Sequence, residues 1–203
     1  ATTEIYTLSL HDALPICPQR TCGKCRPCRE GRYNICEKLN VLGCLSDGAS
    51  SEYFAVETSI LYKIPDYLSF AEGTVLEPLA VGVHAVKRGG NPAGKNILVC
   101  GGGTIGNVVA QAAKGLGAKN VMITDISEFK LDLARKCGIS HTINVGKQDL
   151  QKEIKNILGD EEIDLILECS AVESVLNQAI DIAPKAQLGR CRHWRPLSAR
   201  AVA

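Results

Sequence analysis

From Asn96 to Ala183 the chain alternates between two hydrophobic periods. NILVC (Asn96–Cys100) and NVMIT (Asn120–Thr124) are short, continuous apolar runs, the pattern of strands buried on both faces of a parallel sheet. HTINV, beginning at His141, and DLILEC (Asp164–Cys169) predict two more strands. Between the runs the spacing becomes helical: Ile105, Val108, Val109, Ala112 and Leu116 lie along one stripe, with Gly117 as a C′ stop. Further helices are expected over Glu128–Cys137, Asp149–Leu158 and Val172–Ala183, the last stopped by Pro184. Such alternation with short connections predicts an α/β fold, a parallel sheet covered by helices. Pro18 to about Pro78 has neither period. Gly43, Asp47-Gly48, Pro65 and Asp66 punctuate short apolar runs such as EYFAV and ILYKI, and this part reads as β and loop.

The 203 residues suit one to two domains. A formal net charge of +1 argues against nucleic acid or a membrane surface as partner. No apolar run is long enough to span a bilayer, and the start lacks the basic and apolar regions of a signal peptide. Of ten cysteines, Cys44, Cys100, Cys137, Cys169 and Cys191 follow no pairing pattern. Cys100 and Cys169 sit in apolar runs, where a reduced cysteine acts as a small hydrophobe. A reducing, cytoplasmic setting is expected.

Both ends differ from the rest. Ala1–Ile16 resembles a translated sequencing adapter and is set aside as an artefact, although EIYTLSL also alternates weakly, as a strand would. His11 and Asp12 therefore receive no role. The final LGRCRHWRPLSARAVA holds four arginines, no acid and the single tryptophan, without strand or helix periodicity. A frameshift or chimeric join near Gln187 is expected, and Cys191 with His193 is not read as a metal pair.

Cys22, Cys25, Cys28 and Cys36 stand in C-x2-C-x2-C-x7-C spacing. Four thiolates so close can wrap one tetrahedral zinc at about 2.3 Å, a closed and hence structural site. Lys24, Arg26, Arg29 and Arg32, against the single acid Glu30, offset the double negative charge of such a centre and favour thiolates. A disulfide pair or loose reduced thiols is the alternative.

At the first strand–helix turn, Gly101, Gly103 and Gly106 form G-x-G-x-x-G, and Asp125 follows nineteen residues after Gly106 at the end of the next strand. Alone the motif is weak; after a strand and before a helix it is the dinucleotide fingerprint. A pyrophosphate meets free N–H groups at the helix start, where Thr104 and Ile105 stand. Asp125 can accept hydrogen bonds from ribose hydroxyls and would repel a 2′-phosphate, so NAD is expected over NADP. The alternative is a glycine-rich turn in an unrelated parallel sheet. Glu77, between Leu76 and Pro78-Leu79, is expected not to be a solvated surface acid, which marks it as unusual. His84 reads as a structural histidine.

Together the four-cysteine lobe, GCLSDGASSEYFAV, EPLAVGVHAV and LVCGGGTIG resemble, in order, the zinc-containing medium-chain alcohol dehydrogenase family over Pro18 to about Ala186. EPLAVGVHAVKRGG looks most like its polyol branch, the sorbitol or L-iditol 2-dehydrogenases, with threonine and 2,3-butanediol dehydrogenases close behind. The resemblance implies a partial GroES-like domain with a zinc lobe over 17–80. It implies a partial Rossmann NAD-binding domain over 81–187, with an aberrant tail over 188–203. It implies zinc- and NAD-dependent oxidation of a small secondary alcohol or polyol by a homo-oligomer. It places Glu77 at the third-ligand position of a catalytic zinc. It places Cys22, Cys25, Cys28 and Cys36 at the structural zinc, and Gly101, Gly103, Thr104, Ile105, Gly106, Asp125 and Lys130 at the cofactor. The family's upstream cysteine and G-H-E histidine have no match, nor has its proton relay or its fifth Rossmann strand. The chain is therefore expected to be an inactive internal fragment, with a non-enzymatic zinc- and nucleotide-binding remnant as the alternative reading. The intact cysteine lobe disfavours a zinc-free quinone reductase.

Overall fold

The computed structural model of the chain describes residues 16–51 and 54–183. His11, Asp12, Cys191 and His193 lie outside them, as do the expected join at Gln187 and the first two residues of EYFAV. The chain divides into two compact units, the first ending at Glu77 and the second beginning at Pro78.

The first unit is short on regular structure. Strand β1 (Gln19–Arg20) pairs antiparallel with β2 (Asn40–Val41), and α1 (Arg26–Arg29) lies between them in sequence. Single 3-10 turns cover Tyr33–Ile35 and Thr58–Ile60. Helix α2 (Phe70–Gly73) opens with a capping box: the Ser69 hydroxyl accepts from the Glu72 N–H, and the Glu72 carboxylate accepts from the Ser69 N–H. The expectation of β and loop is thus only partly right. ILYKI makes one isolated bridge, Ile16 to Leu61, among the described residues. A strand needs a partner ladder for its backbone groups, and local alternation does not supply one.

Helix α3 (Leu76–Arg88) was not legible in the sequence, because Pro78 reads as a breaker. It falls in the first turn, where the N–H it removes has no intrahelical acceptor in any case. The helix turns Gly82 and Val86 inward, with Leu79 and Val83 packed beside them. Glu77, Val81, His84 and Arg88 are exposed. This corrects two expectations: Glu77 is a solvated acid and His84 is not a core histidine. Successive helical residues are rotated by about 100°, so apolar sequence neighbours do not bury the residue between them.

The second unit carries a four-stranded parallel sheet in the order β5-β4-β3-β6. Its strands are β3 (Asn96–Cys100), β4 (Asn120–Asp125), β5 (His141–Asn144) and β6 (Leu165–Glu168). Helices α4 (Thr104–Gly115), α5 (Glu128–Lys136), α6 (Leu150–Leu158) and α7 (Glu173–Ile182) connect or follow them. Every strand and helix expected after Asn96 is present within a residue or two. On β3, Ile97 and Val99 enter one core with Val86, Val109, Ala113 and Leu131. Leu98 and Cys100 enter the other with Met122, Leu158, Ile163 and Ala179. The sheet is therefore a middle layer, and each fully buried aliphatic side chain contributes roughly 1.5–3 kcal/mol. Helix α4 ends in a Schellman motif: Gly117, at φ 91°, donates to the Lys114 carbonyl, and Ala118 donates to that of Ala113.

At the N-terminal edge of the sheet, buried Asn96 is fully used. Its N–H and amide donate to Asp164, Glu161 and the Glu162 carbonyl, and its carbonyl accepts from Asn120. This network holds the end of the sheet remote from the glycine turn.

Close approach of α3 to α4 depends on Gly82, where a Cβ would lie 2.9 Å from the Val108 carbonyl oxygen. Gly82→Val is expected to lower stability by about 2–3 kcal/mol through overpacking. Gly115, with nothing within 4 Å of a Cβ, provides the control: Gly115→Ala should raise stability by about 0.5–1 kcal/mol. Urea unfolding measures both, and a neutral Gly82→Val would mean that the two helices do not touch as described.

Candidate functional site

The four cysteines meet. The Sγ atoms of Cys22, Cys25, Cys28 and Cys36 all lie within 4.8 Å of one another, with Cys25 Sγ 3.3 Å from Cys28 Sγ and 3.8 Å from Cys36 Sγ. Sulfurs held about 2.3 Å from a tetrahedral zinc would be about 3.8 Å apart. No described cysteine is disulfide-bonded, and a bond length near 2 Å is far from these separations. Backbone N–H groups already point at the sulfurs: Cys22 and Lys38 donate to Cys36 Sγ at 3.3 Å, and Cys25 donates to Cys22 Sγ at 3.4 Å. Such donors stabilise thiolate ligands. The N–H groups of Lys24 and Cys25 bring the Cys22 thiol down from 9.0 to about 6. Burial, with the neighbouring thiols, pushes Cys28 up to about 12. Four sulfurs this close, with backbone donors aimed at them, fit one zinc, which would take all four as thiolates. Of the flanking cations, Arg26 and Arg32 both pair with Glu30, leaving Lys24 and Arg29 without an ion pair among the described residues. Among described hydrophobic residues of the first unit, only Cys28, Cys36 and Val56 are buried, so the cysteine cluster stands where an apolar core would.

Sixty-odd residues further on, the glycine turn leaves β3. Gly101 sits at φ 102°, and a Cβ there would lie 2.9 Å from the Ser170 nitrogen. At Gly106 a Cβ would lie 1.8 Å from the Gly101 carbonyl oxygen. At Gly103 nothing stands within 4 Å, so the turn is open on that side. Gly103 is the N-cap of α4 and no side chain caps the helix. Its first N–H groups, at the exposed Thr104 and Ile105 and the buried Gly106, are left for an anion.

Asp125 ends β4 beside this turn, its side chain 8% exposed. Oδ2 accepts from the Gly102 N–H and Oδ1 from the Ser127 N–H, each at 2.8 Å, and Lys130 Nζ stands 3.4 Å from Oδ2. Burial alone would raise the carboxyl, but the Ser127 and Gly102 donors and Lys130 outweigh it and hold it below its usual range. The fingerprint residues Gly101, Gly103, Thr104, Ile105, Gly106, Asp125 and Lys130 therefore gather at the C-terminal ends of β3 and β4. This is next to the point where the sheet order reverses between β3 and β6, where α/β sheets bind ligands. Glu77 is not matched in this way. Among the described residues the cysteine cluster is the one group of three or more ligating side chains suited to a metal, and Glu77 belongs to no such group. The described residues do not by themselves make a catalytic zinc site. Sequence reasoning missed Glu168, whose carboxylate caps the loop after β6; only its position at a strand end two residues before a serine signalled this.

Two family models match the chain: the alcohol dehydrogenase GroES-like domain over residues 12–66 and the zinc-binding dehydrogenase over residues 104–190. The chain is 36% identical over 170 residues to a sorbitol dehydrogenase of Bacillus subtilis, covering 83% of this chain and 48% of that protein. It is 35% identical over 161 residues to an L-threonine 3-dehydrogenase of Pseudoalteromonas translucida, covering 79% and 47%. Among solved structures, galactitol-1-phosphate dehydrogenase from Escherichia coli superposes with a TM-score of 0.77 at 32% identity, over 85% of this chain and 50% of that one. An Escherichia coli CFT073 alcohol dehydrogenase complexed with NADH superposes at 0.76 with 30% identity, over 86% and 52%. A Sinorhizobium meliloti zinc-binding dehydrogenase bound to NADP superposes at 0.76 with 30% identity, over 85% and 51%. The chain spans about half the length of the curated relatives it matches.

The purified chain is expected to carry one zinc through Cys22, Cys25, Cys28 and Cys36, read by elemental analysis, and a Cys25→Ser/Cys28→Ser variant should lose it. Chelation of the metal should unfold the first unit while the second keeps its circular dichroism, because the described part of the first buries few apolar side chains. A metal-free chain with an intact first unit would contradict this.

Proposed function

Because the chain belongs to the zinc-containing medium-chain alcohol dehydrogenase family, we propose that the whole protein oxidises a secondary alcohol of a small polyol to a ketone, with hydride passing to NAD. The observation that carries the cofactor half of this reading is Asp125: a buried carboxylate, ionised and held against the glycine turn. A ribose 2′-hydroxyl can donate to it, whereas a 2′-phosphate would bring like charge against a group already below its usual pKa. The similar structures include one with NADH and one with NADP, so the choice rests on this residue. Lys130 offers a cation at the adenosine side. A structural zinc in the cysteine lobe supports the first unit and takes no part in the chemistry.

The polyol substrate rests on likeness to sorbitol and galactitol-1-phosphate dehydrogenases. Oxidation of L-threonine is the second reading, favoured by likeness to threonine dehydrogenases at nearly the same identity. A zinc- and nucleotide-binding protein without turnover is a third outcome of the same assay. Cytoplasmic location and homo-oligomeric assembly belong to the proposal; no helix of the described residues is long and apolar enough to cross a membrane. Glu77, exposed on α3, is proposed as the acid through which this chain contributes to a catalytic metal site.

Three measurements test this. The full-length protein should form NADH with sorbitol or a related polyol faster than with L-threonine; the reverse order would replace the first substrate reading by the second. Asp125→Ser with Ile126→Arg, the latter position being exposed, should shift preference toward NADP by roughly ten- to hundredfold. Equal use of both cofactors by the unaltered protein would refute the role of Asp125. Glu77→Ala should lower kcat far more than it changes NAD affinity, and an unchanged kcat would remove Glu77 from the reaction.

A further inference from the structure

We propose that Glu168 is a positioning residue for nucleotide binding, its carboxylate folding the loop Cys169–Val172 into the crevice wall that faces Gly101. The inference rests on the nucleotide reading above. Glu168 is the last residue of β6, opposite Cys100 in register, and the Cys169 N–H continues the ladder to the Cys100 carbonyl at 2.8 Å. The chain then turns sharply. The Glu168 side chain folds back on the loop that follows it. Its Oε1 accepts from the Ser170 N–H at 2.7 Å and from the Ser170 hydroxyl. The Ala171 N–H lies 3.2 Å from Oε1 and 3.3 Å from Oε2, and the Ser170 Oγ in turn accepts from the Val172 N–H at 3.2 Å.

Ala171 shows why this matters. It has φ 56°, the one non-glycine residue in the left-handed region among the described residues. That conformation is unfavourable for a residue with a Cβ. Ala171 is exposed, so no packing around it enforces the turn. The hydrogen bonds that the Ser170 and Ala171 N–H groups donate to the Glu168 carboxylate are the interactions that hold it. The loop they shape is pressed onto the glycine turn: a Cβ at Gly101 would lie 2.9 Å from the Ser170 nitrogen and 3.0 Å from the Cys169 carbonyl carbon. A shift of the loop therefore moves one wall of the crevice at which a pyrophosphate would sit. Asp125 does the corresponding work on the other side, accepting from Gly102 and Ser127. Two carboxylates on the strands flanking β3 thus each fold a backbone segment beside the same turn.

The alternative role for Glu168 is purely electrostatic, and it has the opposite sign. A carboxylate near a pyrophosphate repels it, so removing the charge would tighten binding. Loss of positioning weakens it. Titration of the full chain with NADH and with ADP-ribose separates the two, alongside thermal unfolding to verify the fold. Glu168→Ala should weaken both ligands by about tenfold, a change of about 1.4 kcal/mol. Ala171→Gly alone should leave affinity within about twofold, because glycine reaches the left-handed region without assistance. The double variant Glu168→Ala/Ala171→Gly should recover most of the lost affinity for the same reason. If Glu168→Ala does not fold, Glu168→Gln, which keeps one acceptor oxygen, should show a smaller loss that Ala171→Gly again recovers. Unchanged or tighter binding in the folded Glu168 variants, or failure of Ala171→Gly to recover it, would overturn the inference while leaving the nucleotide reading intact. An unaltered chain that binds neither ligand would overturn the nucleotide reading, and this inference with it.

Discussion

A Cβ at position 106 would stand 1.8 Å from the Gly101 carbonyl oxygen, and that forbidden contact governs how α4 leaves β3. Only glycine lets the first turn of the helix close so tightly over the end of the central strand. Once it does, the helix N-terminus is brought to the edge of the sheet with its N–H groups uncapped. Gly102 can then donate to Asp125 on the neighbouring strand, and Ser170 can pack onto Gly101 from the other side. The arrangement around the glycine turn follows from that one approach: uncapped N–H groups at the start of α4, the Asp125 carboxylate at the end of β4, and a loop held by Glu168 after β6.

The two units are stabilised by different physics. In the second, β3 is buried along its whole length, and its alternate residues feed two cores. Hydrophobic burial there is extensive enough to hold the sheet without a metal. In the first, the buried hydrophobic residues among those described are two cysteines and Val56. A segment this poor in apolar core needs a staple, and the cluster of Cys22, Cys25, Cys28 and Cys36 is built as one. The lobe's backbone donors to sulfur and the two arginines gathered on Glu30 organise it around the site. A zinc held there by four sulfurs would have no open position, so its work would be folding and not chemistry.

Where residues act depends on which way a helix or loop turns them. The periodic segments after Asn96 settle that locally, since a run such as NILVC admits only a doubly buried strand. Before Pro78 the chain gives no such rule. Thr58–Ile60 and Tyr33–Ile35 are single turns, and the residues around them are fixed by thiol clustering and by ion pairs such as Arg20 with Glu57.

By itself the amino-acid sequence determined the strands and helices after Asn96, the cysteine lobe, the glycine fingerprint and its acidic partner Asp125. These are carried by spacing, and spacing along a chain maps directly onto the 3.6-residue and two-residue periods and onto the reach of four thiolates around one ion. The tertiary structure alone decided the rest. Helix α3 runs through Pro78 because the missing N–H falls in a first turn that needs none. Glu77 and His84 face solvent because Gly82 and Val86 take the side of that helix which meets α4. The strand order, with β6 beside β3, places the Ser170 loop against a turn almost seventy residues earlier. Ala171 holds a left-handed conformation that its side chain disfavours, because a carboxylate three residues back satisfies its N–H. Each of these depends on which groups meet in space, and linear order does not encode that meeting until the sheet has formed.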